Sequence, residues 1–408
     1  MKPYNKPILV LISTLIVGWN NVGTASASVH PGRLQQNGTA NLINDNGSNL
    51  KYESPEHLLL GGAIRLSYPN GVIESGSEAQ LLTLTLSDGQ ILNLTFAQLV
   101  YLAGDFMGDP KVTIGGNSLE QNMSHFSTNF NAILNPPAKD YLPGIINLVN
   151  EQVELNKDNI INGKELNILP GSNIKFNCVT GGGCYEYDWL INYGLYMKLA
   201  EVNYDHFGQD AIDSYLAGHR LALLVASVAK LNHNPRLLNK AYAYEGYADH
   251  FLSDLFASGH LRTPRKALVN WCKFSPASVS GYLGKIMHDV DNKDGIYMTN
   301  NAGVSWKTFG DKEMFINPNS YSMNQAILAM QKSADQIYAV YQGAMSVDTA
   351  YDNSKNWLPN LQKTLDDTRN QAPLFKVEAG QVVEYENGGY TLLSNCLVTA
   401  IKYGWKNI

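Results

Sequence analysis

Apolar and Thr or polar residues alternate from Leu81 to Phe96 around Ser87-Asp88-Gly89, which predicts a β-hairpin with an Asp-Gly turn. Beyond it the period lengthens, and helices are predicted over 96–104 and 120–134. Apolar residues spaced by three and four, with few Gly or Pro between them, predict four more over 188–203, 210–231, 241–259 and 324–343. After Pro373 short β-like runs return, Lys376-Val377 and Val382-Val383, followed by a Gly388-Gly389 turn. The stretch from Val29 to about Pro55 is rich in Asn and Gly without periodicity and reads as an extended or looped arm. No internal repeat stands out. The expected fold is mainly α, with β-containing segments before and after a helical centre.

Lys2 and Lys6 precede an uncharged apolar run from Ile8 to Val17, and the small residues Thr24-Ala25-Ser26-Ala27 follow, the order of a secretory signal peptide. The run is about half the roughly 20 residues that a spanning helix needs. A signal peptide over 1–27 and a mature chain from about Ser28, secreted or periplasmic, are therefore expected. Export makes disulfides plausible among the 4 Cys. Cys178 and Cys184 can close a short loop through Gly181-Gly182-Gly183, leaving Cys272 with Cys396; a Cys-based zinc site is disfavoured because no C-x-x-C spacing occurs.

The 408 residues allow two or three domains at about 150 residues each. Charged residues make up 16% and hydrophobic residues 44%, which excludes a disordered chain. The net charge of −6 disfavours a nucleic-acid partner.

Candidate chemistry concentrates in the centre, where six of the 9 His fall between His206 and His288. On a helix His250 and Asp254 share a face, the spacing that lets an imidazole and a carboxylate bind one metal. Their flanks Phe251, Leu252, Leu255 and Phe256 are apolar, where an unpaired carboxylate would be costly. His260 falls about 80° round from His250 at roughly 100° per residue, within reach of the same or an adjacent metal if Gly259 loosens the helix. His219, about 220° round from His206, is expected to pack locally. His57, His125 and His233 show no convergent partners and are expected on surfaces. H-E-x-x-H, G-x-S-x-G and G-x-x-x-x-G-K motifs are absent, against the usual protease, α/β-hydrolase and nucleotide-hydrolase readings.

The segment His250-x-x-x-Asp254-x-x-x-x-x-His260, with Asn203-Tyr204-Asp205-His206-Phe207-Gly208 upstream, resembles the signature of zinc-dependent phospholipases C and the related fungal single-strand nucleases. The likeness runs from about Asp188 to His288. The wording of Phe256–Arg265 and of His30-Pro31-Gly32-Arg33-Leu34 is most similar to the secreted phospholipases C of the Legionella and Pseudomonas group.

The resemblance implies a helical metal domain over 28–310, with a β-containing insertion near 55–180 and an extension over 311–408. It implies two or three Zn2+ ions. By position, His206 and His250 match ligands of one zinc and Asp254 a bridging carboxylate. His260 and His288 match ligands of a neighbouring zinc. Where the family has a Glu four residues after the last of these His, this chain has Asn292, so Asp291 or Asp294 would have to replace it. Asp105, followed by Phe106, matches the family's zinc-bound general base, with Asp188 as runner-up. The family's third zinc uses an amino-terminal Trp and a nearby His; no early Trp follows the signal peptide, which leaves His30. Phe106, Tyr204 and Phe207 adjoin these positions and are candidates for an aromatic cage around a quaternary ammonium. The implied activity is phosphatidylcholine hydrolysis at a membrane surface to diacylglycerol and phosphocholine. The alternatives are a nuclease or phosphatase with the same metals, or a non-catalytic secreted protein whose zincs hold the fold.

Overall fold

The computed structural model describes residues 54–404, apart from 165, 168, 186–191, 276 and 317–319. The expected signal peptide, His30 and Asp188 lie outside the described residues.

The fold is mainly helical. The described chain opens with α1 (Ser54–Ala63) and two hairpins, β1 (Arg65–Ser67) with β2 (Ile73–Ser75) and β3 (Gln80–Thr85) with β4 (Ile91–Thr95). In the second hairpin Leu82 faces Leu94 and Leu84 faces Leu92 across the Asp88-Gly89 turn, as the alternation predicts. Thr95 and Gln98 form a capping box that starts α2 (Phe96–Leu102) directly from the strand. Four helices follow: α3 (Leu119–Ala132), α4 (Ala138–Ile161), α5 (Ser172–Val179) and α6 (Leu195–Glu201).

The centre is a helical hairpin of α7 (Gly208–Leu231) and α8 (Pro235–Asp254). Asn234 caps α8 by accepting from the Arg236 amide, with Pro235 in the first turn. A Cβ on Gly218 would come within 2.3 Å of the Phe126 ring and 2.7 Å of the Ala248 Cβ, so glycine permits the close approach of α7 to α3 and α8. Tyr242, Tyr244, Tyr247, Phe251 and Leu252 of α8 are all fully buried in the main core.

Three short or medium helices follow, α9 (Ser258–Arg262), α10 (Arg265–Trp271) and α11 (Ala277–Asp294). Next come the hairpin of β5 (Ile296–Thr299) and β6 (Ser305–Thr308), and helices α12 (Ser320–Gln342), α13 (Val347–Ser354) and α14 (Leu361–Leu365). α12 packs along α7 and α8 in the same core. A second, smaller core joins Leu268, Val279, Leu283 and Met287 to the antiparallel sheet β7 (Phe375–Glu378), β8 (Gln381–Glu386), β9 (Gly389–Leu392) and to α15 (Cys396–Lys402). The disulfides are Cys178–Cys184 and Cys272–Cys396, the pairing expected. Among the described residues no helix is long and apolar enough to cross a membrane.

Candidate metal centre

α8 carries His250 and Asp254 one turn apart and stops at Asp254, so the helix expected to run to Gly259 is divided. The chain turns at Leu255-Phe256-Ala257 and re-enters helix at Ser258, which brings His260 back toward Asp254. His206 ends a 3-10 turn, Tyr204–His206, just before α7. That turn is anchored by the buried Asp205 carboxylate, which accepts from the amides of Ile114 at 2.7 Å and Gly115 at 2.9 Å. Asp105 sits in the loop after α2. There Gly104 has φ +68, and a Cβ on it would lie 2.6 Å from His206 Nε2, so glycine is required by both conformation and space.

These segments converge on the Asp254 carboxylate. Its Oδ2 lies 2.9 Å from His206 Nδ1 and 3.5 Å from His250 Nε2; its Oδ1 lies 3.5 Å from His57 Nε2 and 3.7 Å from His260 Nδ1. His250 Nε2 is 3.0 Å from His206 Nδ1. One atom each from Asp105, His206 and His250, and one each from His57, His250 and Asp254, fall within 4.8 Å of one another, so either trio is able to hold a metal ion.

The outer hydrogen bonds fix how the imidazoles are presented. His250 donates its Nδ1–H to the Val100 carbonyl at 2.8 Å, and His260 donates its own to the His206 carbonyl at 2.7 Å. The Ser253 hydroxyl donates to the carbonyls of Asp249 and His250, so its oxygen accepts the Nδ1–H of His57 at 2.9 Å. Each of these rings therefore keeps the Nε2 lone pair, the arrangement by which an outer acceptor sets the tautomer of a metal-ligating histidine.

Protonation is consistent with that role. Burial lowers the pKa of His57, drives that of His250 well below its ordinary value, and brings His260 down to about 3. Burial alone would raise the Asp254 carboxyl, but His260, His250 and His206 around it hold it well below the carboxylate range. His206 moves upward: burial opposes its charge, but Asp254, Asp105 and Asp205 together outweigh burial. An anionic carboxylate among His57, His250 and His260, which favour neutrality, is the state a cation needs, and a cation would displace the proton that His206 favours.

Comparison with protein-family models, curated proteins and solved structures returns no match. The centre therefore rests on its own geometry.

The cleft over it is lined by Glu56, His57, Leu60, Asp105, His206, Ser253, Asp254, Ala257, His260 and Met314. His57 corrects the expectation of a surface histidine. The signal for it lies in Ser54-Pro55-Glu56-His57, a helix start with Pro in the first turn, at the edge of a stretch that reads as an arm.

Other expected residues fall elsewhere. Asp291 is held by Arg262 through two bonds, Nη2 to Oδ1 at 2.7 Å and Nε to Oδ2 at 2.8 Å, so it belongs to an ion pair rather than to the ligand trios. His288 lies beside His260, ring centroids 4.8 Å apart, outside both trios. Phe106 is buried against Phe176 and Tyr196, away from the cleft lining, and Tyr204 also stands outside that lining. Phe207 stacks on His260 at 4.7 Å. The three aromatics form no common cage. His219 packs locally as expected, bridging Glu245 at 2.8 Å and Gln336 at 2.9 Å in the buried core.

Proposed function

We propose that the chain is a zinc-dependent phosphodiesterase, a phospholipase C acting on phosphatidylcholine. The observation that carries this is the composition of the cleft: Glu56, Asp105 and Asp254 with His57, His206 and His260, and no Lys or Arg. Alone, such a lining repels a phosphodiester. With cations on its ligand trios it attracts one. Either His206, His250 and Asp105 or His57, His250 and Asp254 would hold an ion, the two trios sharing Nε2 of His250. Bound there, zinc supplies Lewis acidity and a water whose pKa is brought near 7.

The protein's own groups do the rest. Asp105, buried beside His206, takes the proton of the attacking water. Asp254 stays ionised and sets the spacing of the imidazoles. Glu56, in neither ligand trio, adds the negative charge that a quaternary ammonium head group would meet. A long polyanion gains no basic groove from this lining, and the net charge of −6 adds to that, which favours lipid over nucleic acid as substrate. The two disulfides suit an oxidising compartment, as secretion requires.

The test is an assay of the mature chain on phosphatidylcholine vesicles and on single-stranded DNA, each with chelator and with added zinc. Zinc-dependent release of phosphocholine supports the proposal; DNA cleavage with lipid untouched overturns it in favour of a nuclease.

A further inference from the structure

The end of α11 carries His288, Asp289, Asp291 and Asn292, with the His288 ring against His260, centroids 4.8 Å apart. An ion at this corner would need His260, His288 and a carboxylate. No carboxylate at the corner is in position to serve: Asp289 accepts from His288 Nδ1 at 3.1 Å and also pairs with Lys285, and Asp291 is gripped by Arg262.

The remaining place is filled by Asn292, whose amide is wholly engaged. Its oxygen accepts from the Gly259 amide and from the Ser258 hydroxyl at 3.3 Å, and its nitrogen lies 3.1 Å from His288 Nε2. His288 thus donates from Nδ1 and accepts at Nε2, so the lone pair a metal would use is spent on an amide N–H. Two glycines wall the side chain. A Cβ on Gly310 would lie 1.8 Å from Asn292 Oδ1, and one on Gly259 would lie 2.8 Å from that oxygen and 2.6 Å from His288 Cδ2. The corner is packed as protein interior, with backbone on two sides of the amide.

We infer that the His260–His288 corner takes no ion and that the centre holds at most two. This rests on the metal reading of the cleft and sharpens it: the pair of trios sharing His250 is the whole of the metal-binding apparatus among the described residues. His288 then acts as packing for His260, the two rings and Phe207 meeting in one cluster.

The experiment is a count of zinc per chain by elemental mass spectrometry on the full mature protein, purified in zinc-containing buffer and freed of loose metal by gel filtration. One or two ions per chain are expected, with the same number in His288→Ala. His288→Gln, which keeps a side-chain acceptor for Asn292, covers the case in which the alanine variant does not fold. Three ions in the wild type, or the loss of one ion in either variant, overturns the inference. A chain without zinc retires the metal reading and this one with it, whereas loss of zinc in Asp254→Asn alone, with His288→Ala unchanged, upholds both.

Discussion

At single residues, the distinction that matters is between histidines that face Asp254 and those that do not. His57→Ala, His250→Ala and Asp254→Asn should each lower zinc content and reduce phosphodiester hydrolysis at least 100-fold, measured by elemental analysis and turnover. His219→Ala should act on stability alone. It leaves Glu245 buried without its imidazole and should cost about 3–5 kcal/mol of stability by denaturant titration, with zinc content retained. Equal zinc loss in both groups would remove the assignment. His250, Asp254, His260 and Asp105 were legible because each stands in a local motif. His57 was not, because it joins the centre only through tertiary packing of α1, and its neighbours upstream have no periodicity. Asp291 was misleading for the opposite reason: spacing places it near His288, but only the fold brings Arg262 across to take both its oxygens.

At the level of elements, apolar spacing located α7 and α12 to within a few residues, since both bury a regular face. The spacing missed α4 and α11, whose surfaces mix Asn, Asp and Lys into the apolar stripe, and α4 also contains Pro143. It ran α8 on through 255–257, because Leu255, Phe256 and Ala257 are apolar whether or not the helix continues. What stops the helix is the return of the chain to set His260 against the His206 carbonyl, a long-range requirement. The α7–α8 contact predicts that Gly218→Ala destabilises the protein by about 1–3 kcal/mol through overpacking against Phe126 and Ala248. Thermal melts check this, and an unchanged melting temperature would show that the two helices are not fixed at this distance.

Across the whole molecule, two cores share one chain, and the Cys272–Cys396 bridge ties the last helix to α10 across 124 residues of sequence. Cys396→Ser should cost about 2–5 kcal/mol and melt the smaller core first, seen as early loss of amide protection in α15 and β7–β9. Acid has a separate effect on the metal-free protein. An unfolded imidazole takes up a proton as pH falls through about 6.5, whereas folded His260 does so only near 3, and His57 and His250 are shifted the same way. Over that window the unfolded state binds more protons, so stability falls as pH drops from about 6.5 toward 3; His206, shifted upward, takes up its proton in the folded chain above this window and adds its stability there. Melts in chelator across this range should show the decline, and a flat profile would mean that the rings are charged in the folded chain.

The donors around Asp254 reach from His57 to His260, and α8 by itself offers only His250 and Asp254. Assembly in time therefore has a direction. No short stretch of newly made chain holds enough ligands to trap an ion, in contrast to small zinc modules whose folding is driven by the metal. On the proposed reading an ion would enter a helical core already closed around Tyr242, Tyr247 and Phe251, in whichever compartment the chain folds. That compartment, more than the affinity of the site, would then decide which metal is bound.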